Sequence, residues 1–284
     1  MPLSGDPVAD HATVIFLHVG KTAGATMRRA LRSEYRSSQV MELRAPSVAP
    51  GRLRRDGAVA YFASLPADQR ERPRLIMGHM TFGLHEHIRR PSTYVTLLRE
   101  PLALVRSQYE HVRRHEGHLL HEAAKAYPDL TSYVNSGISL EMDNSQTRAF
   151  AGDTTTPFGA CSPAMLETAR ANLDGAFAVV GLTERFEESL ALMQRAFEWR
   201  TVRYATTNVD PNRARREPLT DAEDALLRER NALDLALYDW ACERFAGTAA
   251  AWPGMRDAVA ALERGEASRW SRLSAAAGRV RHPR

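Results

Sequence analysis

Cysteine and lysine are scarce in this chain of 284 residues, and it has no long apolar run. Cys161 and Cys242 are far apart and lack metal-ligand spacing, which excludes a disulfide scaffold. They read as reduced structural residues, with a single bridge as the alternative. The longest apolar run, about Ala12 to Val19, is far short of the roughly 20 residues of a membrane helix. The first dozen residues carry Asp6 and Asp10 and no apolar core, so they do not read as a signal peptide. A cytoplasmic chain without stable membrane insertion is the expectation. Internal repeats and Gly/Ser linkers are missing too, which favours one domain over two. The net charge of +4 is too small a surplus to indicate a nucleic-acid partner.

Against two lysines, Lys21 and Lys125, stand thirty-six arginines. Together with abundant Ala this looks like the compositional bias of a bacterial genome. Under such a bias a retained Lys is informative, because a compact ammonium on a flexible stem does what a planar guanidinium fork does not.

What is present is an alternation of strands and helices. Thr13–Val19 is a continuous β-rich apolar run, the signature of a buried central strand, and Thr22 to Tyr35 is helical in pattern. Arg74–Gly78, Tyr94–Arg99 and Ala176–Leu182 read as further strands, and Thr201–Ala205 as a short one. Pro101 opens a helix to about Arg114. An amphipathic helix spans Glu184–Trp199, and one long helix runs from Thr220 to Phe245 behind a capping-box-like T-D-A-E. This pattern predicts an α/β, P-loop-like three-layer fold, with a mainly parallel central sheet flanked by helices. The expected organisation is a flexible N-terminus over 1–12, a single domain over 13–250 with a helical cap over 116–163, and a basic helical tail over 251–284. The last twenty residues carry five Arg against one Glu, a solvated helix or a surface for acidic partners.

The segment His18–Thr26 (H-V-G-K-T-A-G-A-T) lies where an α/β sheet puts its anion sites, between the carboxyl end of a strand and a helix N-terminus. Ala23, Gly24 and Ala25 let backbone approach a phosphate, and Lys21 adds a movable positive charge. A Walker A loop is not complete, because its first Gly falls on Ile15 inside the strand, and the strand ending at Leu98 is followed by Arg99 rather than a magnesium-binding Asp. An Arg in that place suits phosphate, so the ligand would carry two separated anionic groups.

These residues resemble the sulfotransferases that use 3′-phosphoadenosine 5′-phosphosulfate (PAPS), in particular the heparan-sulfate 2-O-sulfotransferase-like branch. Its first motif reads approximately H-I-P-K-T-A-G-T-S, and its second, L-R-D-P-x-x-R-x-x-S-x-Y, is matched in part by Leu98-Arg99-Glu100-Pro101 and Ser107-Gln108-Tyr109. Gly78-His79-Met80, Asp143–Arg148, Val180–Phe186, Asn231–Asp234 and Leu237-Tyr238 follow in the family's order, so the resemblance covers about residues 13 to 245. Gly20, Glu100 and Leu104 depart from it, standing where Pro, Asp and Arg are usual.

The resemblance implies that Lys21 contacts the bridging oxygen of the leaving group and that Thr22, Ala23, Gly24, Ala25 and Thr26 donate backbone and hydroxyl hydrogen bonds to the 5′-phosphosulfate. Arg99 and Ser107 would hold the 3′-phosphate, with Arg213, Arg215 or Arg216 of a basic loop closing on it or simply solvated. His79 would be the general base toward the acceptor hydroxyl. His18 would pack under the loop. His85 would be a surface or acceptor-site residue, and Asn144, Gln146 and Arg148 would face the acceptor, with helix packing as the other reading of these three. The implied reaction is in-line transfer to a hydroxyl of a glycan or small-molecule alcohol, without metal, leaving adenosine 3′,5′-bisphosphate. The eukaryotic relatives of this type are Golgi membrane proteins. A P-loop kinase and a noncatalytic glycan- or anion-binding module are the competing functions.

Overall fold

A computed structural model describes residues 12–43, 57–199 and 217–264. The expected flexible N-terminus, the strand at Thr201–Ala205, the basic loop bearing Arg213, Arg215 and Arg216, and the basic end of the tail lie outside the described residues.

In chain order the elements are β1 (Thr13–Leu17), α1 (Gly24–Ser33), β2 (Val40–Leu43), α2 (Ala58–Ser64), α3 (Ala67–Glu71), β3 (Leu75–Gly78), β4 (Ser92–Leu98), α4 (Pro101–Arg114), α5 (His121–Ala124) and α6 (Leu130–Asn135). They continue with α7 (Ser145–Ala151), α8 (Pro163–Ala176), β5 (Phe177–Leu182), α9 (Phe186–Ala196), α10 (Asp221–Arg230), α11 (Ala232–Ala250) and α12 (Met255–Glu263). The five strands form one parallel sheet in the order β2-β3-β1-β4-β5. This is the mixed α/β, P-loop-like architecture expected from the sequence.

β1 is central because its side chains are apolar on both faces; Ile15, Phe16 and Leu17 are fully buried, and Met27, Ala30 and Leu31 of α1 join the same core. The chain leaves β1 toward β2 on one side and leaves β4 toward β5 on the other. The carboxyl ends of β1 and β4 therefore flank the switch point at which open α/β sheets bind ligands.

Two local readings change. β2 was not expected, and the single helix over 220–245 is two, because Asn231 breaks it: the Asn231 amide binds the Met142 carbonyl and accepts from the Asn144 N–H instead of continuing the helix. α4 runs from Pro101 to Arg114 as the sequence indicates. Glu100 caps it, its carboxylate accepting from Leu102 N at 3.1 Å and Ala103 N at 2.6 Å, so the longer carboxylate does the work of the family's Asp. Leu104 lies in the core, where the family's Arg would need a partner.

Candidate active site

Three strand ends converge on the site. β1 runs into the loop 18–23, β3 into His79 and β4 into Arg99. In the loop, Lys21 and Ala23 both adopt left-handed backbone, with φ of 64° and 55°. For residues bearing a Cβ this conformation is costly and is retained at sites where the surroundings over-determine it. Ala23 opens α1 without a side-chain cap, and the first turn holds no acidic residue. A helix start of this composition, beside a lysine, is suited to an anion.

The small residues do more than give access. A Cβ on Gly24 would sit 1.7 Å from His18 Nε2, so the His18 ring occupies the space that the missing side chain leaves. Thr22 is buried and its hydroxyl donates to the Val19 carbonyl at 2.9 Å, closing the loop on itself. Ala25 and Thr26 form the first turn of α1, with Thr26 buried.

Arg99 reaches this loop directly: its Nη1 donates to the Lys21 carbonyl at 2.8 Å. The two anion-binding elements read separately from the sequence are therefore one connected unit. Arg99 is itself fixed from behind by Gln146, whose Oε1 accepts from Arg99 N and whose Nε2 donates to Arg99 O, both at 2.9 Å. Ser107 is buried on α4.

His79 follows β3. Its ring stacks on that of His18 with centroids 4.2 Å apart, and its Nδ1 lies 3.0 Å from the His18 carbonyl oxygen. A carbonyl only accepts, so Nδ1 carries the proton and the lone pair falls on Nε2. His18 is buried, as expected, and its basicity falls well below the usual imidazole range, first through burial and then through the charges of His79, Arg28 and Lys21. It is held neutral beneath the site.

The four residues expected to face an acceptor do other work. Arg148 is buried and donates to Asp143 Oδ2 at 2.5 Å, to Asp153 Oδ2 at 3.0 Å and to the carbonyls of Asp143, Thr156 and Pro157. Asn144, at the start of α7, accepts from Leu233 N and Asp234 N of α11, while the Asp234 carboxylate accepts from Gln146 N and Thr147 N of α7. The two helices cap each other. These contacts are of the kind expected from helix packing, one of the two readings of these three residues. His85 hydrogen-bonds the Tyr94 hydroxyl through its backbone N and its Nδ1, both at 3.0 Å. Tyr94 is four residues upstream of Leu98, about 13 Å from the strand end.

Two contacts were not foreseen. Gln108 hydrogen-bonds Glu141, and both border Gly20. His111 of α4 feels the Lys21 charge. The i, i+4 placement of Glu100, Leu104 and Gln108 on α4 was a usable signal for the former.

A five-stranded parallel sheet flanked by helices is consistent with the P-loop-like fold of the sulfotransferases. Residues 2–269 match the model of the galactose-3-O-sulfotransferase family, and the chain belongs to that family. It is 30% identical over 257 residues to galactose-3-O-sulfotransferase 3 of cattle, covering 84% of this chain and 59% of that protein. The human galactose-3-O-sulfotransferase 3 is also 30% identical, covering 84% and 58%. A zebrafish protein, heparan-sulfate 6-O-sulfotransferase 3-B, is 26% identical over 278 residues, covering 86% and 65%. The chain thus spans less than two thirds of the length of these relatives. The matches support carbohydrate sulfotransferases and not the 2-O-sulfotransferase branch in particular. They also correct the bacterial and cytoplasmic expectations: these relatives are animal proteins of the kind for which the resemblance implied a Golgi membrane setting. Among the described residues no helix is long and apolar enough to cross a membrane.

Proposed function

We propose that the chain transfers a sulfuryl group from PAPS to a hydroxyl of a galactose-containing glycan, with Lys21 and His79 as the catalytic residues. The observation that carries the reading is the Arg99 Nη1 bond to the Lys21 carbonyl, which places a lysine, a guanidinium and an uncapped helix start at one sheet edge, next to a histidine whose Nδ1 is tied down. These residues fit a doubly anionic nucleotide: Lys21 and the backbone of residues 22–26 for the phosphosulfate, Arg99 and Ser107 for the 3′-phosphate. PAPS supplies an activated sulfuryl group whose leaving oxygen gains charge as the S–O bond breaks.

His79 Nε2 takes the proton of the acceptor hydroxyl as its oxygen bonds to sulfur. Lys21 meets the charge that develops on the leaving oxygen, and stabilisation confined to the transition state raises the rate rather than the affinity. The Gln146 clamp keeps the Arg99 backbone from shifting when the guanidinium is loaded. Adenosine 3′,5′-bisphosphate leaves with the electron pair.

The same edge disfavours a phosphate-transferring P-loop kinase, since Ile15 is buried in β1 where the loop's first Gly belongs and Arg99 stands in the place of the magnesium-binding Asp. Calorimetry discriminates: adenosine 3′,5′-bisphosphate binds without added metal if the proposal holds, and binding of ATP only in the presence of Mg²⁺ would replace it by the kinase reading.

A further inference from the structure

The carboxyl end of α4 carries a group of imidazoles that the proposed reaction does not use. His111 and His115 have ring centroids 3.9 Å apart, and His118 lies 5.6 Å from His111. With Arg114, Glu116 and Gly117 they line an open hollow of about 590 Å³. Of the titratable residues lining it, Glu116 alone is acidic, and it is exposed.

The neighbouring carboxylates each have a partner, and Glu110 is paired at the rim of the hollow itself, with Arg114. Glu110 lies 3.2 Å from Arg106 Nε and 3.9 Å from Arg114 Nη2, Glu122 on α5 pairs with Lys125 at 2.6 Å, and Glu141 is bonded to Gln108. His121 on α5 binds the Val112 carbonyl through Nδ1. The other charge felt here is that of Lys21.

The ring nitrogens have assigned roles. His115 Nδ1 is 3.1 Å from the His111 carbonyl, so it donates there, whereas His118 Nδ1 accepts from Leu120 N at 3.1 Å, so the His118 proton is on Nε2. An oxyanion entering a hollow lined by imidazoles and a guanidinium is attracted by the guanidinium and favours the protonated form of an imidazole it meets.

Resting on the proposed sulfuryl transfer, we propose that this hollow is an acceptor subsite which takes a carboxylate or sulfate group carried by the glycan, through His111, Arg114, His115 and His118. Binding is proton-linked. Partial burial, then Lys21, His115, His118 and Arg114, push His111 down to about 4, so it is neutral before the anion arrives and gains proton affinity as the anion enters. Among the described residues no three His, Cys, Asp or Glu are grouped to hold a metal ion.

The test uses the full chain and three β-galactosides: a neutral one, one carrying a uronate carboxylate and one carrying a sulfate ester. Each is titrated calorimetrically at pH 6 and pH 8 in two buffers of different ionisation heat, and each is assayed as acceptor with PAPS. An anionic galactoside should bind about tenfold more tightly than the neutral one at pH 6, with proton uptake, and the gap should shrink at pH 8. Which anion gains identifies the group. The double variant His115→Gln/His118→Gln, and separately the exposed Arg114→Gln, should erase most of the difference through KM. Equal binding of all three galactosides at pH 6, or an undiminished preference for the anionic galactoside in both variants, overturns the subsite. That failure is distinct from failure of the transfer reaction, in which no galactoside is sulfated and adenosine 3′,5′-bisphosphate does not bind.

Discussion

His79 Nδ1 sits 3.0 Å from the carbonyl oxygen of His18, and the two rings stack 4.2 Å apart. One residue of β1's exit thereby sets both the tautomer and the tilt of a histidine on β3's exit, leaving Nε2 as the basic nitrogen. His79→Gln should lower kcat about 10²- to 10⁴-fold with nucleotide affinity unchanged, the range of a lost general base. Steady-state transfer assays beside calorimetry with adenosine 3′,5′-bisphosphate separate the two quantities; a variant that keeps kcat removes His79 from the chemistry.

Gln146 holds the Arg99 backbone through two 2.9 Å bonds. Gln146→Leu keeps the volume and loses both, so Arg99 drifts from the Lys21 carbonyl. Affinity for adenosine 3′,5′-bisphosphate should fall about tenfold, while KM for the glycan changes little. Equal loss on both substrates would mean that Gln146 supports the fold at large rather than the nucleotide side.

Gly24 has no room for a methyl group, with His18 Nε2 at 1.7 Å from where a Cβ would stand. Gly24→Ala should destabilise by about 1–3 kcal/mol, the cost of overpacking a filled site. In the background of His18→Ala the same substitution should cost clearly less. A denaturant double-mutant cycle reads the coupling, and additive effects would show that the clash relaxes in some other way.

His18 is buried and its proton affinity is held well below that of an ordinary imidazole, near 6.5, first by burial. The unfolded chain then binds the proton more readily than the folded one, so stability from this group is present above pH 6.5 and is lost as pH falls below it. Unfolding curves between pH 7.5 and 5 should show this decline, and His18→Phe should flatten it. An identical pH dependence in the variant would assign the decline to other groups.

Much of the frame was readable because it rests on local chemistry. The apolar run of β1, Pro101 at the first position of α4 and the Gly-Lys-Thr loop each carry their own signal. β2 did not, since three of its four residues are only partly buried and no alternation marks it. Helix α10 gives way to α11 at Asn231 because of hydrogen bonds to residues 87 and 89 positions away, which no window along the chain contains. The same distance hid the site's supports. Lys21, His79 and Arg99 were legible as the residues that follow strand ends, but the Gln146 clamp spans 47 residues and the Asp234 cap 88. For Asn144, Gln146 and Arg148 the sequence left an acceptor-facing role and helix packing both open, and in the structure all three are buried.

Lys21 bears the central claim, and single-turnover transfer of labelled sulfate from PAPS to a β-galactoside measures it most directly. Lys21→Ala should slow the transfer step about 10²- to 10³-fold while adenosine 3′,5′-bisphosphate still binds, as expected for a cation that acts on charge appearing in the transition state. Transfer at the wild-type rate in that variant would contradict the assignment.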